Sequence, residues 1–417
     1  MSSYRSLRRN HDFGVLWVAQ TVSEVGSRAS LFVFPLVAYA LTGSTGLAAA
    51  AEATYLLGLA GALLPAGPLV DRVDPRRVMR SASAAGALLY ASLVAALLAH
   101  ALTAPHLLLV ALLTGAASGL FGPAEAKAVR AVVPAEDLPT ALSQNQARLH
   151  LATLLSAPAG GLMYAAARWV PFAADAVSFA FSWVLLGRLR TDLTAPAGRS
   201  RRSPRQDLAE GLRFVWSRPL FRTLAVWGPL SNLTINALFF AAILRLINGG
   251  FDAVHIGLVE ATAGAAGIVG AVLAPWVLDR VPTGWLTVAV AWAFLPLVAP
   301  MAVWNHPAVV AAALGTGMLL NPAGNTGMSS YRLARTPPEL VGRVQASTQF
   351  LAMAALPLSP VLAGTLLSLL GGPAAIAVLG GCSGLVALIP TLSRHVRTVP
   401  RPSAWAAAEP AAVPAAA

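Results

Sequence analysis

The sequence predicts an all-α membrane protein of about twelve transmembrane helices in two pseudo-symmetric six-helix bundles, and three observations predict it. Of the 417 residues, 57% are hydrophobic and 11% charged, with mean hydropathy +0.67, whereas a soluble domain carries roughly 25% charged residues. The apolar residues fall in twelve blocks, each near the roughly 20 residues that a membrane crossing needs. Positions also recur between the halves. Asp71 with Asp279, and Glu52 with Glu260, lie 208 residues apart; Pro134 with Pro337, Glu136 with Glu339, and Gln146 with Gln349 lie 203 apart. Ordered matches at two nearly equal offsets imply a duplicated six-span unit.

Spans are expected near 13–41, 47–70, 77–100, 106–128, 141–166, 170–189, 220–247, 254–278, 284–304, 308–330, 344–370 and 374–393. The expected organisation is a cytoplasmic N-terminus over 1–10, a first bundle over 11–189, a cytoplasmic linker with an interfacial helix over 190–218, a second bundle over 219–397, and a disordered Ala/Pro tail over 398–417. Residues 1–10 are too polar for the apolar core of a signal peptide, so the first block reads as a retained span. Alternating the spans from a cytoplasmic start puts almost every basic cluster on one face and leaves only Arg168 and Arg245 on the other. The positive-inside rule then sets both termini in the cytoplasm of a multi-pass cell-membrane protein.

Between spans two and three, Gly67 to Arg80 carries six charges in a chain poor in them. Asp74 followed by Pro75 is a helix start, because Asp accepts orphan amide protons and Pro suits the first turn. Asp71 lies within reach of Arg76 or Arg77 across that turn, and Glu125 at the end of span four is a further partner. An ion pair that must break for the halves to rock makes Gly67, Asp71, Arg72, Arg76, Arg77 and Glu125 a conformational switch; the plainer reading is a topology anchor. In the linker, Arg199, Arg201, Arg202 and Arg205 suit anionic headgroups. Leu208, Leu212 and Val215 then mark an interfacial helix over 207–216.

The composition excludes several classes. Lone Cys382 rules out a disulfide framework and a cysteine metal site. Lys127, the only lysine, is followed by Ala128, so no phosphate-binding Gly-Lys-Ser/Thr loop exists. The net charge of +12 sits in short loops, against a nucleic-acid partner. No convergent catalytic or metal-ligating set is visible, so neither an enzyme nor a cofactor or metal is expected.

Charges within spans each cost roughly 2.5–3.5 kcal/mol at mid-bilayer, so they mark sites. Glu24 and Arg28, four apart on one helix face, form either a proton or substrate site or a self-neutralising pair. Glu52 and Glu260 hold equivalent places near the outer ends of spans two and eight, as gating carboxylates or proton carriers. His150 titrates near neutral pH in the free side chain, though Arg148 lies two residues before it. Gln146, Asn232, Asn236, Asn321, Asn325 and Gln349 are candidate cavity lining for a neutral or zwitterionic ligand. Interhelical hydrogen bonding, worth about 0.6 kcal/mol on average, is the plainer reading of each amide.

Gly67, Leu69, Asp71, Arg72, Arg76 and Arg77 meet the signature Gly-x-Leu-x-Asp-Arg-x-Gly-Arg-Arg, with Asp74-Pro75 in place of its second Gly, and with it the chain resembles the major facilitator superfamily over nearly its whole length. Residues 10–17 with Ser23 and Gly26, Phe121 to Ala124 with Val133-Pro134, and Glu210 to Phe214 resemble the branch of macrolide efflux proteins and the enterobactin exporter. The resemblance implies export of an amphipathic small molecule, usually by proton antiport; a monomer in the lipid bilayer working by alternating access is expected, with Glu24 the first choice of proton carrier. Two departures favour an importer or facilitator without proton coupling: the span-five antiporter signature is shortened to Ala157 to Gly161, and Ser27 stands where the branch often has an acid. A non-transporting membrane receptor is a third alternative.

Overall fold

The computed structural model describes residues 7, 10–134, 137–193, 204–337 and 340–405; the side chains of residues 64, 67, 68, 71, 72, 139, 142, 143, 146, 147, 150, 204, 205 and 207 lie outside that description. Of the residues singled out above, Gly67, Asp71, Arg72, Gln146, His150 and Arg205 are in that group, and Glu136, Arg199, Arg201, Arg202 and Glu339 lie outside the described residues. No strand occurs among the described residues. Among the described residues, ten helical stretches, two of them interrupted (283–303 and 341–370), are long and apolar enough to cross a bilayer, with shorter apolar helices at 151–166 and 170–186.

The first half runs α1 (His11–Thr42), α2 (Thr45–Arg72), α3 (Pro75–Leu98), α4 (Ala104–Val132), α5 (Leu138–Ala166) and α6 (Val170–Leu186). The amphipathic α7 (Pro204–Ser217) follows, then α8 (Pro219–Asn248) and α9 (Ala253–Arg280). Span nine is broken: α10 (Thr283–Trp292) ends, residues 295–297 form a single 3₁₀ turn around Pro296, and α11 (Val298–Val303) completes it. A proline has no amide proton and clashes with the preceding turn, which weakens the helix there. The remainder is α12 (Pro307–Ala334), α13 (Val341–Ala354), α14 (Leu358–Leu370), α15 (Gly372–Leu392) and the short α16 (Arg394–Arg397). Span eleven, expected as one helix, divides into α13 and α14 just before Leu358, at Pro357.

Packing divides the chain into two units. One comprises residues 1–199, 240–261 and 357–371, the other 200–239, 262–356 and 372–417. In the first, α1 packs on α5 and α6, α2 on α4 and α14, and α3 on α4 and α6. Gly58 and Gly115 let α2 and α4 touch backbone to backbone: a Cβ on Gly58 would overlap the Leu112 carbonyl, and one on Gly115 the Tyr55 carbonyl. Small residues at helix contacts are the usual means of close approach in lipid. Tyr90 stacks between Phe172 and Phe179, at 6.0 and 5.9 Å, which holds α3 on α6. In the second unit, α7 lies on α13, and α10 packs on α12 and α15.

Residues 398–405, expected to begin a disordered tail, instead pack. Val399 is buried beside Leu224, Met328 and Tyr331, and the Trp405 ring meets the Tyr331 ring edge-on at 5.5 Å. Alanine-rich sequence conceals the single aromatic anchor that fixes this segment.

Candidate functional site

Four helices of the second unit each turn one face to a cavity of about 400 Å³. On α8 the face is Gly228, Asn232, Ile235, Asn236 and Phe239; on α12 it is Met318, Asn321, Asn325 and Arg332. Steps of three, four and seven keep side chains on one stripe of a helix. Residues Gln345, Thr348, Gln349 and Ala352 do the same for α13, and Thr287, Val290 and Ala291 for α10. Five of the six amides picked out in the sequence therefore line one cavity, and the side chain of the sixth, Gln146, is not described.

The hydrogen bonds show how these amides are used. Asn236 Nδ2 donates to the Asn232 carbonyl at 2.7 Å, and Asn325 Nδ2 to Asn321 Oδ1 at 2.7 Å, both within their own helices. Gln349 Nε2 reaches Met353 Sδ, also on its own helix, at 3.6 Å. Only Asn232 bonds across helices, to the Ala352 carbonyl at 3.3 Å. Apart from Asn232, the amides are thus not spent on holding helices together, and each keeps capacity for a guest. Arg332, Gln345 and Thr348 were not picked out. Helical steps from Asn321 and Gln349 could have found them, but a basic residue near a helix end reads first as topology.

The first unit carries the charges. Arg28 Nε donates to Glu24 Oε1 at 2.6 Å, so these two are paired. Glu125 pairs with Arg148 Nη2 of α5 at 2.9 Å. A pairing 23 residues apart on separate helices leaves no mark in the sequence. Of the loop arginines, Arg76 Nη2 donates to the Thr191 carbonyl at 2.6 Å and Arg77 is exposed; the Asp71 side chain expected beside them lies outside the description. Glu52 and Glu260, both half-buried, are close enough to interact electrostatically.

Two sites were missed. Asp12 accepts from the backbone amides of Arg190 and Thr191 at 3.1 and 2.7 Å and from the Thr191 hydroxyl. Asn10 caps α1 by accepting from the Phe13 amide and donates to the Val132 carbonyl at 2.7 Å. With Arg76 on the Thr191 carbonyl, the start of α1 and the charged loop are tied to the ends of α4 and α6. Asp12→Ala is expected to cost about 1–3 kcal/mol through the stranded donors, read as a lower melting temperature in detergent; Asp12→Asn, keeping one acceptor, should cost less. The second is Asp175 of α6, 0% exposed, which accepts from Ser178 at 2.9 Å while its Oδ2 has no partner. Gly26 makes room for it: a Cβ there would lie 2.7 Å from Asp175 Oδ1.

At the helix ends carrying the Gly43 and Gly250 turns, the first unit is tightly closed. Tyr39 Oη donates to Asn248 Oδ1 at 2.6 Å. A Cβ on Gly161 would lie 2.5 Å from the Ala253 carbonyl oxygen, and one on Gly257 2.5 Å from that of Ala157. The segment 157–161 is therefore a seat for the first turns of α9. A Cβ on Gly364 of α14 would similarly press on Ala49 of α2 at 2.6 Å.

Comparison with known proteins accords with this architecture. The sequence profile of the Major Facilitator Superfamily matches residues 16–355. The multidrug efflux pump Tap of Mycobacterium tuberculosis is 28% identical over 414 residues, covering 92% of this chain and 94% of that protein. An MFS-type transporter of Sinorhizobium fredii is 28% identical over 408 residues, covering 94% and 96%. Among solved structures, a mutant of the nucleoside transporter NupG superposes with a TM-score of 0.71 at 12% identity, over 91% of this chain and 98% of that one.

Proposed function

The chain belongs to the major facilitator superfamily, and from that premise we propose that it exports an amphipathic small molecule across the cell membrane by alternating access in exchange for protons. The observation that carries this reading is the cavity, where amides from α8, α12 and α13 face apolar Phe239, Met318 and Ala291. A guest with a polar edge and an apolar body fits such walls, with shape and many weak contacts deciding the fit. Similarity to an efflux pump over nearly the whole chain supports outward transport.

In this reading the bundles over 11–189 and 219–397 alternate between two states, both termini are cytoplasmic, and the end at Gly161 and Gly257 is extracellular. Substrate enters from the cytoplasm or inner leaflet at an inward-open stage of the cycle. The Asp12–Thr191–Arg76 ties keep the cytoplasmic ends of the first bundle rigid as it moves. Protonation of Glu24 would release Arg28, and a ligand or proton shifts the equilibrium by its different affinity for the two states.

Accumulation of a mixed compound panel in an efflux-deficient host tests this. Expression should lower accumulation of at least one amphipathic compound, and an uncoupler should restore it. Unchanged accumulation of every compound would contradict export. Glu24→Gln should abolish the uncoupler-sensitive part; full activity in that variant would remove Glu24 from the proton step.

A further inference from the structure

Arg332 shares the cavity face of α12 with Asn321 and Asn325, which precede it by eleven and seven residues. Its surroundings do not explain it as a topology anchor. An arginine that only marks the cytoplasmic face extends its head into water or headgroups. Here the guanidinium borders a cavity, Nε is buried without an acceptor, and Nη2 makes one long bond to Ser329 Oγ at 3.3 Å. No carboxylate pairs with it among the described residues. Its neighbours are engaged otherwise: Arg335 lies over the Tyr331 ring at 5.2 Å, and Arg343 pairs with Glu210 at 2.9 Å. Among the described residues lining the cavity, Arg332 is the one formal charge; the other polar groups are amides, hydroxyls and an indole N–H.

A guanidinium offers five donors in a planar fork that matches carboxylate, sulfonate or phosphate oxygens. Half-buried, and with no carboxylate paired to it among the described residues, it is completed by an anion from outside. We propose that Arg332 binds an anionic group on the exported molecule, which makes the substrate class amphipathic anions or zwitterions and not purely cationic lipophiles. The amides of α8 and α13 then take the remaining polar edge. This inference rests on the cavity being the substrate site, as proposed above, but on neither the direction of transport nor proton coupling.

The test uses the full chain in phosphatidylcholine nanodiscs, with dansyl-leucine and its uncharged primary amide as probes and energy transfer from Trp227 in the cavity wall as the signal. The acid should bind about tenfold more tightly than the amide. That preference should vanish in Arg332→Gln and survive in part in Arg332→Lys, while Asn325→Ala weakens both probes alike. Equal binding of acid and amide, no binding of either, or a preference that persists in Arg332→Gln would overturn the proposal. A free phosphate or a lipid headgroup shares the same chemistry. Displacement of the acid by excess inorganic phosphate, or by phosphatidylglycerol in the disc, would assign the site to those anions and overturn the substrate reading. A protein that discriminates acid from amide yet fails to export retains this inference and loses the export reading, so the two failures are distinguishable.

Discussion

Gly257→Val should reduce efflux about tenfold or more while the protein still reaches the membrane. Even the first carbon of a side chain there would stand 2.5 Å from the Ala157 carbonyl oxygen and 3.2 Å from Pro158 Cα. Both are backbone atoms and cannot rotate aside. Overpacking of this kind costs typically about 1–3 kcal/mol. The cost falls on the conformation in which α5 and α9 touch and is absent once they separate. A bias of about 1–3 kcal/mol shifts such an equilibrium about 5–150-fold. Gly161 repeats the contact from the other helix, with Ala253 as its neighbour, so Gly161→Val should act in the same direction. Maleimide labelling of a cysteine placed at Asn248, in a background with Cys382 replaced, would read the opening. Labelling should rise as transport falls. Wild-type transport in Gly257→Val, or lost transport with unchanged labelling, would remove this contact from the gate.

The second large effect concerns Arg148. Its side chain is 4% exposed, Nη2 pairs with Glu125, and Nε and Nη1 are buried without partners. Removing Glu125 alone strands a buried cation, a loss of about 3–5 kcal/mol in buried pairs. Replacing both residues with apolar ones of similar volume removes the desolvation cost together with the attraction and is often neutral or better. Glu125→Leu should therefore sharply lower the folded yield and melting temperature, and Glu125→Leu with Arg148→Met should recover most of both. A double variant as unstable as the single one would mean that the two groups are not coupled as the 2.9 Å contact implies.

How much of this was legible depends on whether a feature is local in sequence. The spans were, because each is a long apolar run bounded by Pro, Gly or charge; the offsets between Asp71 and Asp279 also exposed the duplication. The breaks in spans nine and eleven were not, since Pro296 and Pro357 leave a kink and a full break equally open. Amides of the cavity stood out because polar groups are conspicuous in lipid-facing sequence. Arg332 did not, because its place near a helix end satisfies the positive-inside rule and hides a second role. Asp12 and Arg148 owe their environments to partners on other helices, Thr191 lying 179 residues from Asp12. Asp175 is a lone acid in span six, and its meaning depends on Gly26 of span one, which only packing brings beside it.

The central claim is uphill transport through an alternating cavity, and proteoliposomes carrying an imposed pH gradient test it most directly. With an acidic lumen, antiport should drive the exported compound into the vesicles above its external concentration, and collapse of the gradient should release the excess. Equilibration to the external concentration regardless of the gradient, or no movement at all, would contradict the account.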